Sequence, residues 1–184
     1  MKRSTIAAAA LLLSAAAPFA AGQASARQAG ASSPSAQLQE FVVDGTCTAT
    51  MVAMGKYPAR TATGKVHGEM TLDGQWAVIR YEEDQTAANP KPFRVEQYIG
   101  YDAPAKHFVS VEFNNTEGGY VAGVSPGWTG NTATFDETML VDGKITPSRD
   151  VFIKGESGMK THIGMLRDES GKWIEAERET CHTP

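Results

Sequence analysis

The feature that most constrains this chain is a repeated alternation of short β-prone runs with tight turns. Val66, Gly68, Met70 and Leu72 alternate with Lys65, His67, Glu69 and Thr71, and Asp73-Gly74 then leads straight into Trp76-Ala77-Val78-Ile79-Arg80-Tyr81. An alternating run, Asp-Gly and a second β-rich run mark a hairpin, because Asp and Gly adopt the positive φ angles that tight hairpin turns require. The pattern returns. Met139-Leu140-Val141 meets Asp142-Gly143 before Ile145; Val151-Phe152-Ile153 meets Gly155-Glu156-Ser157-Gly158 before residues 159–166; Ser170-Gly171 precedes residues 173–181. In the middle, residues 95–101 and 108–113 flank Asp102-Ala103-Pro104-Ala105. Strands at this spacing predict an antiparallel meander. A long meander has two unpaired edges, and closure into a barrel removes both. The expected fold is therefore all-β: a meander closed into a β-barrel, with a two-sheet sandwich as the rival. Helical spacing is visible only near residues 37–43, where Leu38, Phe41 and Val42 would form one short N-terminal helix.

The N-terminus carries a different signal. Lys2 and Arg3 precede an Ala/Leu-rich run over residues 6–21, broken only by Ser14 and Pro18, and Ala24-Ser25-Ala26 follows as a small-x-small site. That is the layout of a cleavable signal peptide over residues 1–26. A membrane anchor needs a longer, more strongly apolar run. No cysteine follows closely, which argues against a lipid anchor. Residues 27–36 hold no large apolar side chain and predict a flexible tether, leaving residues 37–184 as one β-barrel domain. The whole chain carries −4, and loss of Lys2 and Arg3 takes the balance to −6. A mildly acidic exported protein without a Lys/Arg block has no general pull toward nucleic acid or anionic membrane.

Particular residues extend this reading. Asp44-Gly45-Thr46, Leu72-Asp73-Gly74-Gln75-Trp76, Ile99-Gly100-Tyr101-Asp102 with Lys106-His107-Phe108-Val109, and Trp173-Ile174-Glu175 together span most of residues 38–181. In these the chain resembles a bacterial family catalogued as domain of unknown function 1579, whose members resemble lipocalin-like (calycin) barrels. The resemblance implies the barrel and no activity. One position departs from it: the family tends to place Trp after Gly-Thr, where this chain has Cys47.

Cys47 and Cys181 are the only cysteines, one on the first expected strand and one on the last. In a closed meander those strands are neighbours, and an oxidising compartment would join the pair across the seam. Closing a 134-residue loop is worth roughly 4–5 kcal/mol as an upper figure. The parity of the strands objects. Cys47 shares its face with Ala49 and Met51, an apolar set, whereas Cys181 shares one with Glu175, Glu177 and Glu179. Two unpaired thiols are the alternative.

No catalytic constellation stands out. None of His67, His107, His162 and His182 has zinc-site spacing, so neither a metal nor a cofactor is expected. Alternation turns His67 and His162 toward solvent and makes His107, in phase with Val109, Val111 and Phe113, the candidate inward histidine. Gly123-Val124-Ser125-Pro126-Gly127 matches Gly-x-Ser-x-Gly by letter, but it lies in an expected Pro/Gly loop without the strand-to-helix turn that a nucleophile elbow needs. Glu175, Glu177 and Glu179 are expected on the barrel exterior, where solvent screens like charges. Arg80, in phase with Trp76 and Val78, and Arg178, in phase with Ile174 and Ala176, would need an acid partner or a bound anion if they faced inward. The candidate ligand-binding residues are therefore Arg80, Arg178, His107, Tyr101 and Trp76. The leading expectation is an exported non-catalytic protein holding a small apolar or amphipathic ligand, lined by some of Met51, Met70, Val78, Ile99, Val109, Val111, Phe113, Ile163 and Met165. The alternatives are a haem-binding barrel enzyme, with His107 or His162 as proximal ligand, and an interaction or structural module with a packed core.

Overall fold

The computed structural model of the chain describes residues 32–53, 58–87, 89–116, 119–141, 143–156, 158–168 and 170–183. The expected signal peptide and the first residues of the tether lie outside the described residues. One helix, α1 (Pro34–Gln39), precedes β1 (Asp44–Met51), β2 (Arg60–Thr71), β3 (Trp76–Glu83), β4 (Arg94–Asp102), β5 (His107–Asn114) and β6 (Tyr120–Ser125). The short β7 (Trp128–Thr129) is followed by β8 (Thr132–Val141), β9 (Lys144–Lys154), β10 (Lys160–Arg167) and β11 (Trp173–His182). Each long strand pairs antiparallel with its neighbour in sequence, β1 pairs with β11, and β6 passes over β7 to pair with β8. The result is a closed ten-stranded barrel, as the turn pattern predicts.

The turns do what their residues allow. Between β2 and β3, Leu72, Asp73 and Gly74 all take positive φ, at 49°, 57° and 78°. Gly74 N–H donates to the Thr71 carbonyl and Gln75 N–H to that of Leu72, so the loop is four residues long and not two. The Gly-Tyr-Asp segment also has a structural reason. Gly100 lies opposite Trp76, and a Cβ there would meet the indole ring at 2.8 Å, so only glycine lets that ring lie across β4. Two residues on, Asp102 accepts the Ala105 amide at 3.0 Å and its carbonyl accepts that of Lys106 at 2.8 Å, closing the β4–β5 turn.

One end of the barrel is sealed by the N-terminal segment. Ser33 caps α1 by accepting the Ala36 amide, and Pro34 opens the helix with its φ already set. Residues 34–36, expected in the tether, are thus helical, whereas Phe41 and Val42, expected in the helix, follow it. Phe41 is the plug. Its ring lies 4.8 Å from Trp128, 5.4 Å from Phe152, 5.7 Å from Phe135 and 6.3 Å from Phe108. Burying each such ring stabilises by roughly 2–3 kcal/mol. Lys160 fixes the segment by donating from Nζ to the carbonyls of Glu40 and Val42, at 2.6 and 2.7 Å. Trp128 does so through its indole N–H, which donates to the Gln37 carbonyl at 3.1 Å.

Toward the opposite end the interior turns polar. Buried Glu83, Gln97, Ser110, Glu137, Ser148, Asp150 and Glu179 project inward from six strands. On β5 the expected order is reversed: Val109, Val111 and Phe113 face out, with Phe113 52% exposed, while Phe108, Ser110 and Glu112 face in. The exterior carries charge at mid-strand, with Arg80 joined to Glu69 and Glu96, Arg149 to Asp136, and Arg178 to Glu175.

The cysteine expectation holds, for a reason the parity argument missed. Cys47 and Cys181 are direct register partners, 4.0 Å apart at Cα, and are joined by a disulfide. Glu177 and Glu179 share the inner face with Cys181, so the expected clash of an apolar with a polar face does not arise. Only Glu175 faces out. Between Gly164 and Met165 the register against β11 slips by one residue, and the extra residue is Ala176. The disulfide is compatible with an oxidising extracellular compartment, and no described helix is long and apolar enough to cross a membrane.

Candidate functional site: a carboxyl-lined cavity inside the barrel

The polar half of the interior encloses a cavity of about 90 Å³. Tyr81 reaches it from β3, Glu112 from β5, Ser148 and Asp150 from β9, His162 from β10, and Glu177 and Glu179 from β11. Val95, Val121, Met139 and Leu166 supply an apolar wall.

His162 is central to the electrostatics. Its Nε2 lies 3.2 Å from Asp150 Oδ1 and its Nδ1 3.9 Å from Glu179 Oε2, and its ring stacks at 5.1 Å on Phe152. Burial alone would push the imidazole toward its neutral form. The surrounding carboxylates of Asp150, Glu177 and Glu179 outweigh that and raise its pKa to about 10, so His162 is a cation at neutral pH. This corrects the expectation that His162 faces solvent. At the barrel mouth Arg60 pairs with Glu83 at 2.6 Å. Burial pushes the Glu83 carboxyl up, but Arg60, the Phe93 amide and Asn89 together hold it below the usual range.

The remaining acids have no such partners. Burial, then the charge of Asp150, raises Glu112 to about 7, against a weak bond from Asn114. Burial, then Asp150 and Glu112, raises Glu137 to about 10; Ser110 lies close enough to moderate this, but neither Glu137 oxygen has a well-formed hydrogen bond. Glu179 rises to about 7 through burial and the charges of Glu177 and Glu83, with His162 opposing, and Glu177 is raised chiefly by burial. Among the described residues Ser148 Oγ, the Tyr81 hydroxyl and Glu179 Oε1 are also buried without a partner, and His162 Nε2, though close to Asp150, is not aligned for a hydrogen bond. Burial is the first cause of raising the Tyr81 phenol above its ordinary value.

Most of the sequence-nominated residues lie elsewhere. Arg80 is on the exterior, its guanidinium at 2.6 Å from Glu69 and 3.2 Å from Glu96, beside an open surface groove of about 480 Å³. Arg178 is exterior and bound by both Glu175 oxygens, at 2.7 and 2.6 Å. Each has its acid partner outside the barrel, so neither faces the interior cavity. Trp76 and His107 also lie in the outward phase, which corrects the inward reading of His107. Tyr101 does face in, but it packs on Phe108 at 5.0 Å in the aromatic half. Of the nominated lining, Ile99 is core, Met165 borders the cavity, and Val109, Val111 and Phe113 are outside. A porphyrin is far larger than the space beside His162. Ser125 is a strand-end residue whose Oγ accepts the Gly127 amide at 3.0 Å, not a nucleophile at a helix start.

Fold and site together define a closed antiparallel β-barrel whose interior is divided between an aromatic plug and a carboxyl-lined cavity. No protein-family model and no curated protein matches the chain.

Proposed function

We propose that this chain is an exported, non-catalytic binding protein whose barrel holds one small amphipathic ligand in the carboxyl-lined cavity. One observation carries the reading. The cavity is lined by Ser148, Tyr81 and Glu179, each buried and each with a polar atom that no group among the described residues satisfies. Such atoms are uncommon in a finished core, and a ligand that meets them recovers their desolvation cost. The export layout of residues 1–26 and the Cys47–Cys181 bond support the compartment. The aromatic half keeps only a smaller space of about 50 Å³ beside Phe41, Trp128 and Phe152, so we place the ligand in the larger, polar half. Native mass spectrometry of the full chain purified from the expressing cell tests the reading. We expect a small adduct that is lost on denaturation, and an exported form whose N-terminus is Arg27. A bare mass under gentle conditions, with no saturable ligand among small polar compounds, would count against binding.

The interaction-module reading rests on a different observation: Phe113, Tyr120 and Val124 are exposed on adjoining outer faces of β5 and β6. Self-association that Phe113→Ser abolishes would favour it.

A further inference from the structure

The cavity holds more acid than the barrel's own cations balance. Glu112, Asp150, Glu177 and Glu179 line it, and Glu137 and Glu83 are buried in the same half. Among the described residues the facing cations are Arg60, held by Glu83, and His162, held against Asp150. Arg149 borders the cavity but is held outside by Asp136 and stacks 4.5 Å over Trp173. An excess of acid alone would not make a site. The second observation is independent of charge. Ser148 and Tyr81, 3% and 4% exposed, line the same cavity with hydroxyls that have no partner among the described residues. The third is the apolar wall of Val95, Val121 and Met139 facing the acids.

Resting on the binding reading above, we propose that the ligand is a small organic cation, a short alkylamine whose ammonium group sits among the four lining carboxyls and whose alkyl part lies on Val95, Val121 and Met139. An ammonium group brings three donors and no acceptor, which matches a surplus of carboxyl and hydroxyl oxygens. The cavity has the volume of roughly three waters at their share of ~30 Å³ each, which suits a short chain and not a lipid. A bare metal ion fits less well. The one described group of three potential metal ligands whose donor atoms lie within 4.8 Å of one another is Cys47, Glu179 and Cys181, and there the disulfide occupies the sulfurs. On this reading the ligand enters at the end away from α1. An outer depression of about 770 Å³, bordered by Arg60, Asn89 and Pro92, shares Phe93 with the inner cavity.

Calorimetry and thermal melts of the full chain with propylamine, 1-propanol, propionate, Ca²⁺ and Zn²⁺, at about pH 5.5 and about pH 8.5, test this. We expect saturable propylamine binding at least about tenfold tighter than propanol at the higher pH. It weakens at the lower pH, because the lining carboxyls must lose protons to hold the cation. Glu179→Gln loses at least about tenfold, and Ser148→Ala, a milder change kept as a second reading should the first variant not fold, loses a few-fold. Propanol binding as tightly as propylamine overturns the charge assignment and leaves the binding reading standing. A midpoint raised by a divalent ion but by no amine overturns it in favour of a metal. If nothing binds and nothing co-purifies, both readings fall.

Discussion

Glu137 illustrates how a single residue can work against the fold it belongs to. It is 6% exposed, neither carboxyl oxygen is bonded, and its pKa of about 10 leaves it protonated at neutral pH, at a cost relative to the unfolded chain. It does not border the cavity. Glu137→Gln removes that cost, and we expect a gain of about 1–3 kcal/mol at neutral pH, read by urea denaturation. Arg60 is the opposite case. Glu83 has no exposed side-chain surface, and without the guanidinium it keeps only the Asn89 and Phe93 donors. Arg60→Met should therefore cost about 2–3 kcal/mol, the low end for a broken buried pair because Arg60 is itself a third exposed. The sequence reading asked for an acid partner or a bound anion only if Arg80 and Arg178 faced inward, and both face outward. It could not tell that the partners, Glu69, Glu96 and Glu175, share their outer face.

β11 is the element on which the reading succeeded and failed together. Its pairing with β1 was legible, because a closed meander must bring its first and last strands together. Its facing was not. Glu175, Glu177 and Glu179 form an unbroken period of two in the sequence, and nothing local announces that the register slips beside Ala176. A signal was nonetheless available. If Cys47 faces an apolar interior and bonds Cys181, then Glu179, two residues away, must face inward too. Taking the disulfide seriously would have found the acidic cavity. The bond also ties the seam of the barrel, and Cys47→Ser with Cys181→Ser should lower stability by about 2–4 kcal/mol in denaturant titration. The 134-residue separation makes roughly 4–5 kcal/mol the ceiling.

The barrel as a whole was readable because turn chemistry is local: Asp-Gly and Ser-Gly pairs mark strand ends whatever lies between them. The site was not, because alternation separates two faces without saying which is inside, and here both faces are mixed. The acidic interior has a molecule-wide consequence for stability. Glu112 and Glu179, raised to about 7, and Glu137 and His162, raised to about 10, all bind protons more tightly folded than unfolded. Glu112 and Glu137 are faced by Asp150 and His162, and Glu179 by His162, Glu177 and Glu83. The stability these groups contribute is complete below their unfolded values and is lost as pH rises through the folded ones. Glu83, held low, acts in the opposite sense and matters only in more acidic solution. The empty protein should be most stable near about pH 5 and lose roughly 5–10 °C in melting temperature by about pH 8, followed by calorimetry. A bound amine should flatten that decline, since it takes the place of the protons.

Phe41 and α1 stop one mouth of the barrel, so a guest that enters past Phe93 leaves by the same route. How long it stays is then set by how often one aromatic ring swings aside, separately from how firmly the carboxyls grip. Phe93→Ala should shorten residence time about tenfold or more in stopped-flow release while leaving the equilibrium constant within a few-fold. A protein built this way can be tuned as a slow-release store or a fast buffer by changing a side chain at the rim and leaving the acids untouched.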